Sequence, residues 1–143
     1  MKTVVVAKAV VINDEGKLLA LRRSESDDRR PLQWDIPGGW VEEGEDFAEA
    51  TARETEEEAG ISIDPKHLQL VYTSHAIKQP KDEKLNIIWL FFIGKTTDKQ
   101  AKLSYEHVEA QWMTLDEAMD EFEYPLHKEL FMHLKDNGLL HKS

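Results

Sequence analysis

The sequence predicts an α+β domain in which helices cover a mixed β-sheet. The main reason is the order of the apolar patterns, because strand patterns come first, one helix follows, and further strands and then helices complete the chain. The second reason is size. A chain of 143 residues with 41% hydrophobic residues can bury one core and leaves little room for another. We therefore expect residues 1–143 to form a single domain.

The first part of the chain predicts a hairpin followed by an irregular segment. Residues 3–12 are rich in valine, which favours a buried strand, and the polar NDEG at 13–16 supplies a turn. The returning strand is then KLLALRR at 17–23. Proline and glycine in WDIPGGWVEEG indicate an ordered segment that is not helical.

The rest of the chain predicts one helix, three strands and two further helices. The first helix is expected from Asp46 to Ala59, with Gly60 as a natural C-terminal stop. The strands are predicted in HLQLVYTSHAI, KLNIIWLFFIG and EAQWMTL. The last helices are predicted in LDEAMDEF and PLHKELFMHLKDNG, the second of which begins at Pro125.

Composition excludes several classes of function. The net charge of −10 argues against a broad nucleic-acid-binding surface, although a small anionic ligand can still bind if a metal intervenes. The chain has no cysteine, which excludes disulfide and thiolate chemistry and fits a cytoplasmic protein. The apolar N-terminus MKTVVVAKAVVI is too short for a membrane span and lacks the pattern of a signal peptide, so we expect no membrane partner.

The predicted first helix gathers carboxylates on one face. At about 100° per residue, Glu54, Glu57 and Glu58 lie together. The adjoining side carries small residues that would allow close packing on a sheet: Ala48, Ala52, Thr55 and Ala59. Like charges at this spacing repel, so the face is either fully solvated, with help from Arg53, or holds a divalent cation such as Mg²⁺ or Mn²⁺.

The spacing of this region resembles the signature of a known family. Gly39, Glu45, Arg53-Glu54, Glu57-Glu58 and Gly60-Ile61 stand at the intervals of the Nudix box, which would span residues 39–61. Thr55 departs from the aliphatic residue usual there. The resemblance to Nudix (MutT-like) hydrolases implies an α/β/α sandwich. It also implies Mg²⁺-dependent hydrolysis, with Mn²⁺ as a substitute, of a nucleoside diphosphate linked to another moiety.

The resemblance also implies roles for the residues of the box. Glu54, Glu57 and Glu58 would hold the metal, and the carbonyl of Gly39 is a further candidate ligand. Glu45 would complete the ligand set or brace Arg53, and Arg53 would orient the carboxylates without touching substrate. Glu54, Glu57 and Arg53 are therefore the catalytic candidates within the box.

One further catalytic group is expected outside the box. The segment SYEHVEAQWMTLDEA resembles the family segment before the last strand, where a loop glutamate ligates metal or activates water. Glu106 is the first candidate and Glu109 the alternative. His107 competes as a base because an ordinary histidine pKa lies near neutrality.

Substrate contacts have weaker signals. Arg22 and Arg23 end the second strand, and alternation along a strand leaves one of them facing a phosphate; we choose Arg23. Lys84 and His127 stand where relatives contact a base. Several strand aromatics could stack on a base, although strand aromatics are more often core: Trp34, Tyr72 and Trp89.

The leading substrate is a (deoxy)nucleoside triphosphate. Secondary markers of other Nudix subfamilies are missing downstream of the box, where this chain reads SHAIK. Against this choice, Trp40 stands where well-known triphosphate-cleaving relatives have lysine. The alternatives are a nucleotide-sugar or ADP-ribose pyrophosphatase and a non-catalytic nucleotide sensor. We expect a monomer or homodimer.

Overall fold

The computed structural model describes residues 1–140 and contains seven strands and three helices within them. The strands are β1 (Lys2–Ile12), β2 (Leu18–Arg23), β3 (Trp34–Asp35), β4 (Gly38–Trp40), β5 (Gln69–Lys78), β6 (Leu85–Lys95) and β7 (His107–Met113). The helices are α1 (Phe47–Ala59), α2 (Leu115–Glu121) and α3 (Pro125–Asp136), and a short 3₁₀ turn covers Pro65–His67.

The strands form one mixed sheet. Its central path runs β3-β2-β1-β6-β5, while β4 also pairs with β1 and β7 also pairs with β2. The pairing of β1 with β6 is parallel along their whole length, and the other pairings are antiparallel. The predicted hairpin is confirmed, with Ile12 opposite Leu18.

Alternation along β1 and β2 divides the core into two layers. Ala9, Val11, Leu19 and Leu21 face the end of α1, where they pack with Ala59 and Ile61. Their neighbours Val10, Ile12, Leu18 and Ala20 face α2 and α3, where they pack with Phe122, Leu130 and Phe131. Both faces of the two strands are therefore buried, and the predicted α/β/α sandwich is confirmed.

The helix that carries the acidic residues begins and ends as the sequence predicts. Asp46 is its N-cap, and its side chain accepts a hydrogen bond from the Glu49 N–H. Gly60 ends the helix in the left-handed conformation and donates to the Glu56 carbonyl. The helix packs against β4 and β1, so two strands fix its position relative to the sheet.

The glycine segment before this helix is ordered and not helical, as predicted, but it also contains two short strands that the sequence did not indicate, β3 and β4. Gly38 explains how β4 reaches the sheet: it lies opposite Lys8, and a Cβ at Gly38 would stand 2.3 Å from the Ala7 carbonyl oxygen. Only glycine permits so close an approach to β1.

Within residues 1–140 no helix is both long enough and apolar enough to cross a membrane.

Candidate active site

The helix α1 presses its small residues against the sheet. Ala52, Thr55 and Ala59 of the predicted stripe are buried, as are Ala50 and Thr51. Ala48, which the helical projection placed in the same stripe, is only partly buried. This close packing brings the neighbouring glutamates to the edge of β4.

The three glutamates predicted to share one face occupy different environments. Glu58 is 6% exposed, whereas the side chain of Glu54 is 20% exposed and that of Glu57 is 58% exposed. Oε2 of Glu58 accepts a hydrogen bond from the Gly38 N–H at 3.4 Å. Only Glu57 points mainly to solvent.

The sequence predicted that these carboxylates converge, and this geometry is not preformed. Among the described residues 1–140, no three aspartate, glutamate or histidine side chains are grouped closely enough to hold a metal ion. Nη1 of Arg53 binds both Glu54 and Glu57, whereas Glu58 accepts its hydrogen bond from the Gly38 N–H instead.

Burial and mutual repulsion both act on the inner carboxylates. Burial raises the pKa of Glu58 to about 8; Lys8 opposes this increase and the Asp35 charge adds to it. Burial also raises the pKa of Glu54, with Arg53 opposing and the Glu57 charge adding. Two carboxylates are thus held where their negative charge is poorly compensated, and a cation is the group that would compensate it.

Arg53 is held by a carboxylate outside the helix. Its Nε and Nη2 donate to the two oxygens of Glu45 at 2.8 and 3.0 Å. Its Nη1 donates to Glu54 at 3.1 Å and to Glu57 at 3.3 Å. Of the two roles left open for Glu45, bracing Arg53 is the one that this geometry supports.

Gly39 lies directly against Glu54. It pairs with Ala7 across β1 and β4, and a Cβ at this position would stand 2.9 Å from Cδ of Glu54 and 3.0 Å from its Oε2. A larger residue would therefore displace the carboxylate. The absence of a side chain at Gly39 thus forms a cradle in which the Glu54 carboxylate itself lies against the backbone.

The donor set fits a hard divalent cation. Carboxylate oxygens and a backbone carbonyl are the ligands that Mg²⁺ prefers, and Glu54, Glu58 and Gly39 supply groups of these kinds. The raised carboxylate pKa values and the cradle at Gly39 agree with that chemistry.

The two loop candidates outside the box are separated by the structure. Glu106 precedes β7 and lines a polar cavity of about 80 Å³ together with Glu58 and Lys8. Its charge adds to the raised pKa of both Glu54 and Glu58. Glu109 instead lies on β7 and forms an ion pair with Arg22 at 3.5 Å. Neither Glu109 nor Arg22 is among the described residues that line this cavity. The geometry therefore favours Glu106 over Glu109.

The competing base His107 is buried within the same small cavity. Burial lowers the pKa of its imidazole, and the charge of Asp35 opposes that decrease. Its Nδ1 is buried and has no hydrogen-bond partner among the described residues. The side chain is thus close to Glu58 but enclosed.

Asp35 is a functional candidate that the sequence reasoning missed. Its carboxylate is 2% exposed and accepts from Lys8 at 2.8 Å, from Arg23 at 2.6 Å and from His127 Nε2 at 3.2 Å. Burial alone would raise the pKa of Asp35, but Lys8 and His127 hold it well below its usual range. Lys8, a lone cation in an apolar strand, was the available signal, because such a residue needs a buried partner.

A cleft of about 530 Å³ opens beside this group. Gly38 and Gly39 line it, so the acidic face of α1 adjoins the cleft through Glu54 and Glu58. Glu106 is the one carboxylate among the described residues that line the cleft. The basic residues that line it come from several elements: Lys8, Arg23, Arg29, Arg30 and Lys78. In a protein of net charge −10, this is a local concentration of positive charge.

The predicted substrate contacts lie in unequal positions. Arg23 lines the cleft, but its Nη1 and Nη2 donate to Asp35 and Asp27 at 2.6 Å each. Arg22 lies on the other face of the strand, where it donates to the Leu32 carbonyl. His127 lines the cleft from α3 yet is 2% exposed. Lys84 is exposed and lies outside the cleft lining, although the adjacent Leu85 belongs to it.

The strand aromatics divide in the same way. Trp34 is 8% exposed and belongs to the core on the α2–α3 side, and Tyr72 packs against that core. Trp89 lines the cleft, and so does Trp40, which is 48% exposed. Only Trp89 of the three proposed stacking residues therefore faces the candidate site.

Fold and site together define a class of small α/β/α sandwich domains. In these domains the acidic helix α1 packs against the glycine-containing strand β4, beside a cleft lined by basic residues. The model of the NUDIX domain matches residues 2–134, which is nearly the whole chain. The chain belongs to the NUDIX domain family.

Individual relatives agree with this assignment. A MutT-like protein of Streptomyces ambofaciens is 32% identical over 111 residues, which are 78% of this chain and 64% of that protein. The asymmetrical bis(5'-nucleosyl)-tetraphosphatase of Sus scrofa is 38% identical over 91 residues, which are 59% of this chain and 58% of the pig protein. The chain thus spans less than two-thirds of these curated relatives.

A solved structure covers the chain more completely. The crystal structure of a MutT protein from Methanosarcina mazei Go1 matches with a TM-score of 0.79 and 28% identity, over 98% of this chain and 97% of that one. The order of layers seen here is therefore that of a MutT-type domain.

Proposed function

We propose that this protein hydrolyses the pyrophosphate bond of a nucleoside diphosphate linked to another moiety, in a reaction that depends on Mg²⁺. A (deoxy)nucleoside triphosphate is the leading substrate. The observation that carries the proposal is the contact of Gly39 with Glu54, because it joins a carboxylate-rich helix to a cation-lined cleft. A polyanionic ligand in that cleft would bring its phosphates beside the carboxylates, and only a metal reconciles the two charges.

Glu54, Glu57 and Glu58 are the residues that would hold Mg²⁺ or Mn²⁺, with the Gly39 carbonyl and Glu106 as further ligands. When bound, the metal would polarise the phosphorus centre and lower the pKa of an attacking water. Gly39 lines the cleft and Glu58 lines the small cavity with Glu106, whereas the side chain of Glu57 is 58% exposed.

The protein's own residues supply orientation and proton transfer. Arg53, held by Glu45, fixes where Glu54 and Glu57 can point. Glu106 faces the cavity shared with Glu58 and would take the proton of the attacking water as its oxygen bonds to phosphorus and the bridging P–O bond breaks. Arg23 and Lys8 would place positive charge near the phosphates.

A second substrate class has specific support. Asymmetrical bis(5'-nucleosyl)-tetraphosphatases of pig, rat and Caenorhabditis elegans are 34–38% identical to this chain over 59–66% of its length. A dinucleoside polyphosphate also contains a nucleoside diphosphate linked to another moiety. Nucleotide sugars and ADP-ribose are further candidate substrates of the same chemical class.

The test is a panel of substrates incubated with the purified protein, with Mg²⁺, with Mn²⁺ and with a chelator, followed by identification of the products. The panel contains nucleoside triphosphates, a dinucleoside tetraphosphate, ADP-ribose and a nucleotide sugar. We expect cleavage only with metal, at an anhydride bond, and fastest for one class. Glu57→Gln and Glu58→Gln should abolish it, while Glu49→Gln, an exposed substitution on the same helix, should not.

Two results would contradict the proposal. Metal-dependent nucleotide binding without any cleavage would assign the chain to the nucleotide sensors. Cleavage by Glu58→Gln at the wild-type rate would show that the acidic face of α1 takes no part in the reaction.

A further inference from the structure

We propose that Arg30, stacked on Tyr124, is a specificity-determining residue that receives the substrate's nucleobase and favours purines. The inference rests on the proposed function, because it assumes that the ligand of the cleft is a nucleotide. It assigns a role to two residues that the motif does not contain.

Arg30 is fixed in place before any ligand binds. Its guanidinium carbon lies 4.1 Å from the centroid of the Tyr124 ring, and its Nη2 lies 3.6 Å from Oδ2 of Asp35. Its backbone N–H donates to Asp27 at 2.9 Å, and the same aspartate binds Arg23. These contacts hold the guanidinium plane in one orientation. The side chain therefore loses less conformational entropy when a nucleobase stacks on it.

Tyr124 is supported from behind. It is the N-cap residue of α3, and its ring makes an edge contact with His127, with centroids 5.3 Å apart. His127 in turn bonds to Asp35. The predicted base contact of His127 is therefore better read as support for Tyr124, since the histidine itself is 2% exposed.

The surroundings of Arg30 suit a flat apolar group. The cleft is continued by Trp89, Ile87 and Leu85 of β6 and by Leu126 of α3. The phosphates are instead proposed to lie beside Gly39 and Glu54, which are in contact at the edge next to α1. A base fits the apolar part, because guanidinium planes and aromatic rings both stack on nucleobases.

Arg30 also carries a donor that its ion pair with Asp35 does not use. Its Nη2 lies 3.6 Å from Asp35, whose carboxylate binds Lys8 and Arg23 more closely, at 2.8 and 2.6 Å. Nη1 of Arg30 is buried and has no hydrogen-bond partner among the described residues. A nucleobase stacked on the guanidinium would bring its edge acceptors near that donor, and a purine also covers more of the guanidinium plane than a pyrimidine does.

The experiment measures binding of nucleoside monophosphates, which contain no anhydride bond and cannot be cleaved by the proposed reaction. Dissociation constants for AMP, GMP, UMP, CMP and ribose 5-phosphate are obtained by NMR titration of labelled protein in the presence of Mg²⁺. The wild type should bind the purine nucleotides more tightly than the pyrimidine nucleotides, and ribose 5-phosphate most weakly.

Arg30→Lys keeps the charge and removes the planar group. It should weaken purine binding about tenfold and leave ribose 5-phosphate within about twofold of the wild type. Arg22→Lys is the matched control, because Arg22 also lies over an aromatic ring, at 5.8 Å from Trp34, but outside the cleft. It should change none of the five constants.

Tyr124 provides the second pair of variants and keeps the test valid if Arg30→Lys fails to fold. Tyr124→Phe should bind as the wild type does, and Tyr124→Leu should lose the preference for purines. Equal weakening of ribose 5-phosphate and purine nucleotides in Arg30→Lys would assign Arg30 to the phosphates and overturn the inference. So would unchanged constants in both Arg30→Lys and Tyr124→Leu.

The two proposals fail separately. If the wild type cleaves no nucleotide but prefers purine monophosphates through Arg30, the proposed function fails and this inference stands. If it cleaves nucleotides and the Arg30 and Tyr124 variants bind all probes like the wild type, only this inference fails.

Discussion

The guanidinium of Arg53 donates to both oxygens of Glu45, through Nε at 2.8 Å and Nη2 at 3.0 Å. Glu45 lies before the helix and Arg53 lies within it, so the contact ties the loop to α1. The remaining nitrogen of Arg53 reaches Glu54 and Glu57. One cation thus sets the direction of two candidate metal ligands.

The first prediction concerns Arg53→Lys. Lysine cannot bind Glu45 through two parallel hydrogen bonds and reach Glu54 at the same time, so the carboxylates lose their orientation. We expect kcat/KM to fall about 10- to 100-fold. The melting temperature should stay within about 3 °C of the wild type, because the contact is partly exposed. Steady-state kinetics and thermal unfolding measure the two effects.

Glu49→Gln is the control for this variant, since Glu49 is exposed and makes no ion pair with Arg53 among the described residues. A kcat/KM of Arg53→Lys equal to that of the wild type would show that catalysis does not depend on the way Arg53 orients Glu54 and Glu57.

The second prediction separates two glycines. In Gly39→Ala the new Cβ would meet the end of the Glu54 side chain at 2.9 Å, so the carboxylate must move while the backbone need not. We expect near-normal stability and Mg²⁺ affinity reduced about tenfold or more. In Gly44→Ala the Cβ meets nothing within 4 Å, but φ is +81°, so stability should fall by about 1 kcal/mol.

Isothermal calorimetry with Mg²⁺ and chemical denaturation measure the two quantities for both variants. If Gly39→Ala binds Mg²⁺ like the wild type, the cradle at Gly39 has no part in metal binding.

The third prediction concerns Asp35→Asn. The substitution removes the buried negative charge that Lys8 and Arg23 share, and both cations are themselves largely buried. We expect the free energy of unfolding at pH 7 to fall by about 3–5 kcal/mol. Asp116→Asn is the control, because Asp116 is 79% exposed and its pair with Lys135 should contribute little.

The same residue predicts a dependence on pH. The pKa of Asp35 is held well below its usual range in the folded state, so the unfolded chain binds a proton at higher pH than the folded protein does. The stabilisation is therefore fully present above the unfolded pKa of about 4 and is lost as pH falls towards the folded pKa. Urea denaturation at several pH values should show the wild type approaching Asp35→Asn as the solution is acidified. A constant difference between them would contradict this.

The fourth prediction concerns Mg²⁺ and stability. A cation that binds only the folded protein stabilises it by mass action, by about 2.7 kcal/mol at a concentration 100 times its dissociation constant. Mg²⁺ should therefore raise the melting temperature beyond a sodium chloride control of equal ionic strength. An equal rise of the melting temperature in both salts would contradict specific Mg²⁺ binding and would mean that the acidic face of α1 is only a solvated surface.

Local patterns predicted most of the fold. The valine run of β1, the C-terminal stop of α1 at Gly60, and Pro125 at the start of α3 depend on neighbouring residues only, and the structure confirms each of them. The strands β3 and β4 were missed because each is two or three residues long and forms only through its partner strand. Periodicity cannot report such short pairings.

In the candidate site, too, local patterns predicted some features, and contacts between distant segments determine the others. Spacing along one helix placed Glu54, Glu57 and Glu58 together, and the family resemblance implied that Arg53 orients the carboxylates, as its contacts with Glu54 and Glu57 show, but neither signal could show that burial singles out Glu58. Asp35 binds Lys8, Arg23 and His127 from three other segments of the chain, and no local pattern reports such a meeting. Charge pairing between distant segments is thus the part of the site that the sequence does not reveal.

Metal binding by the acidic face of α1 is tested most directly by a titration with Mn²⁺ followed by electron paramagnetic resonance, which reports the free ion. The titration compares the wild type with Glu58→Gln and with Glu49→Gln, two neutral substitutions on the same helix. We predict a saturable site in the wild type and in Glu49→Gln, and an affinity at least about tenfold lower in Glu58→Gln. Equal affinity in all three proteins, or no saturable site in any of them, would contradict a metal site on this helix.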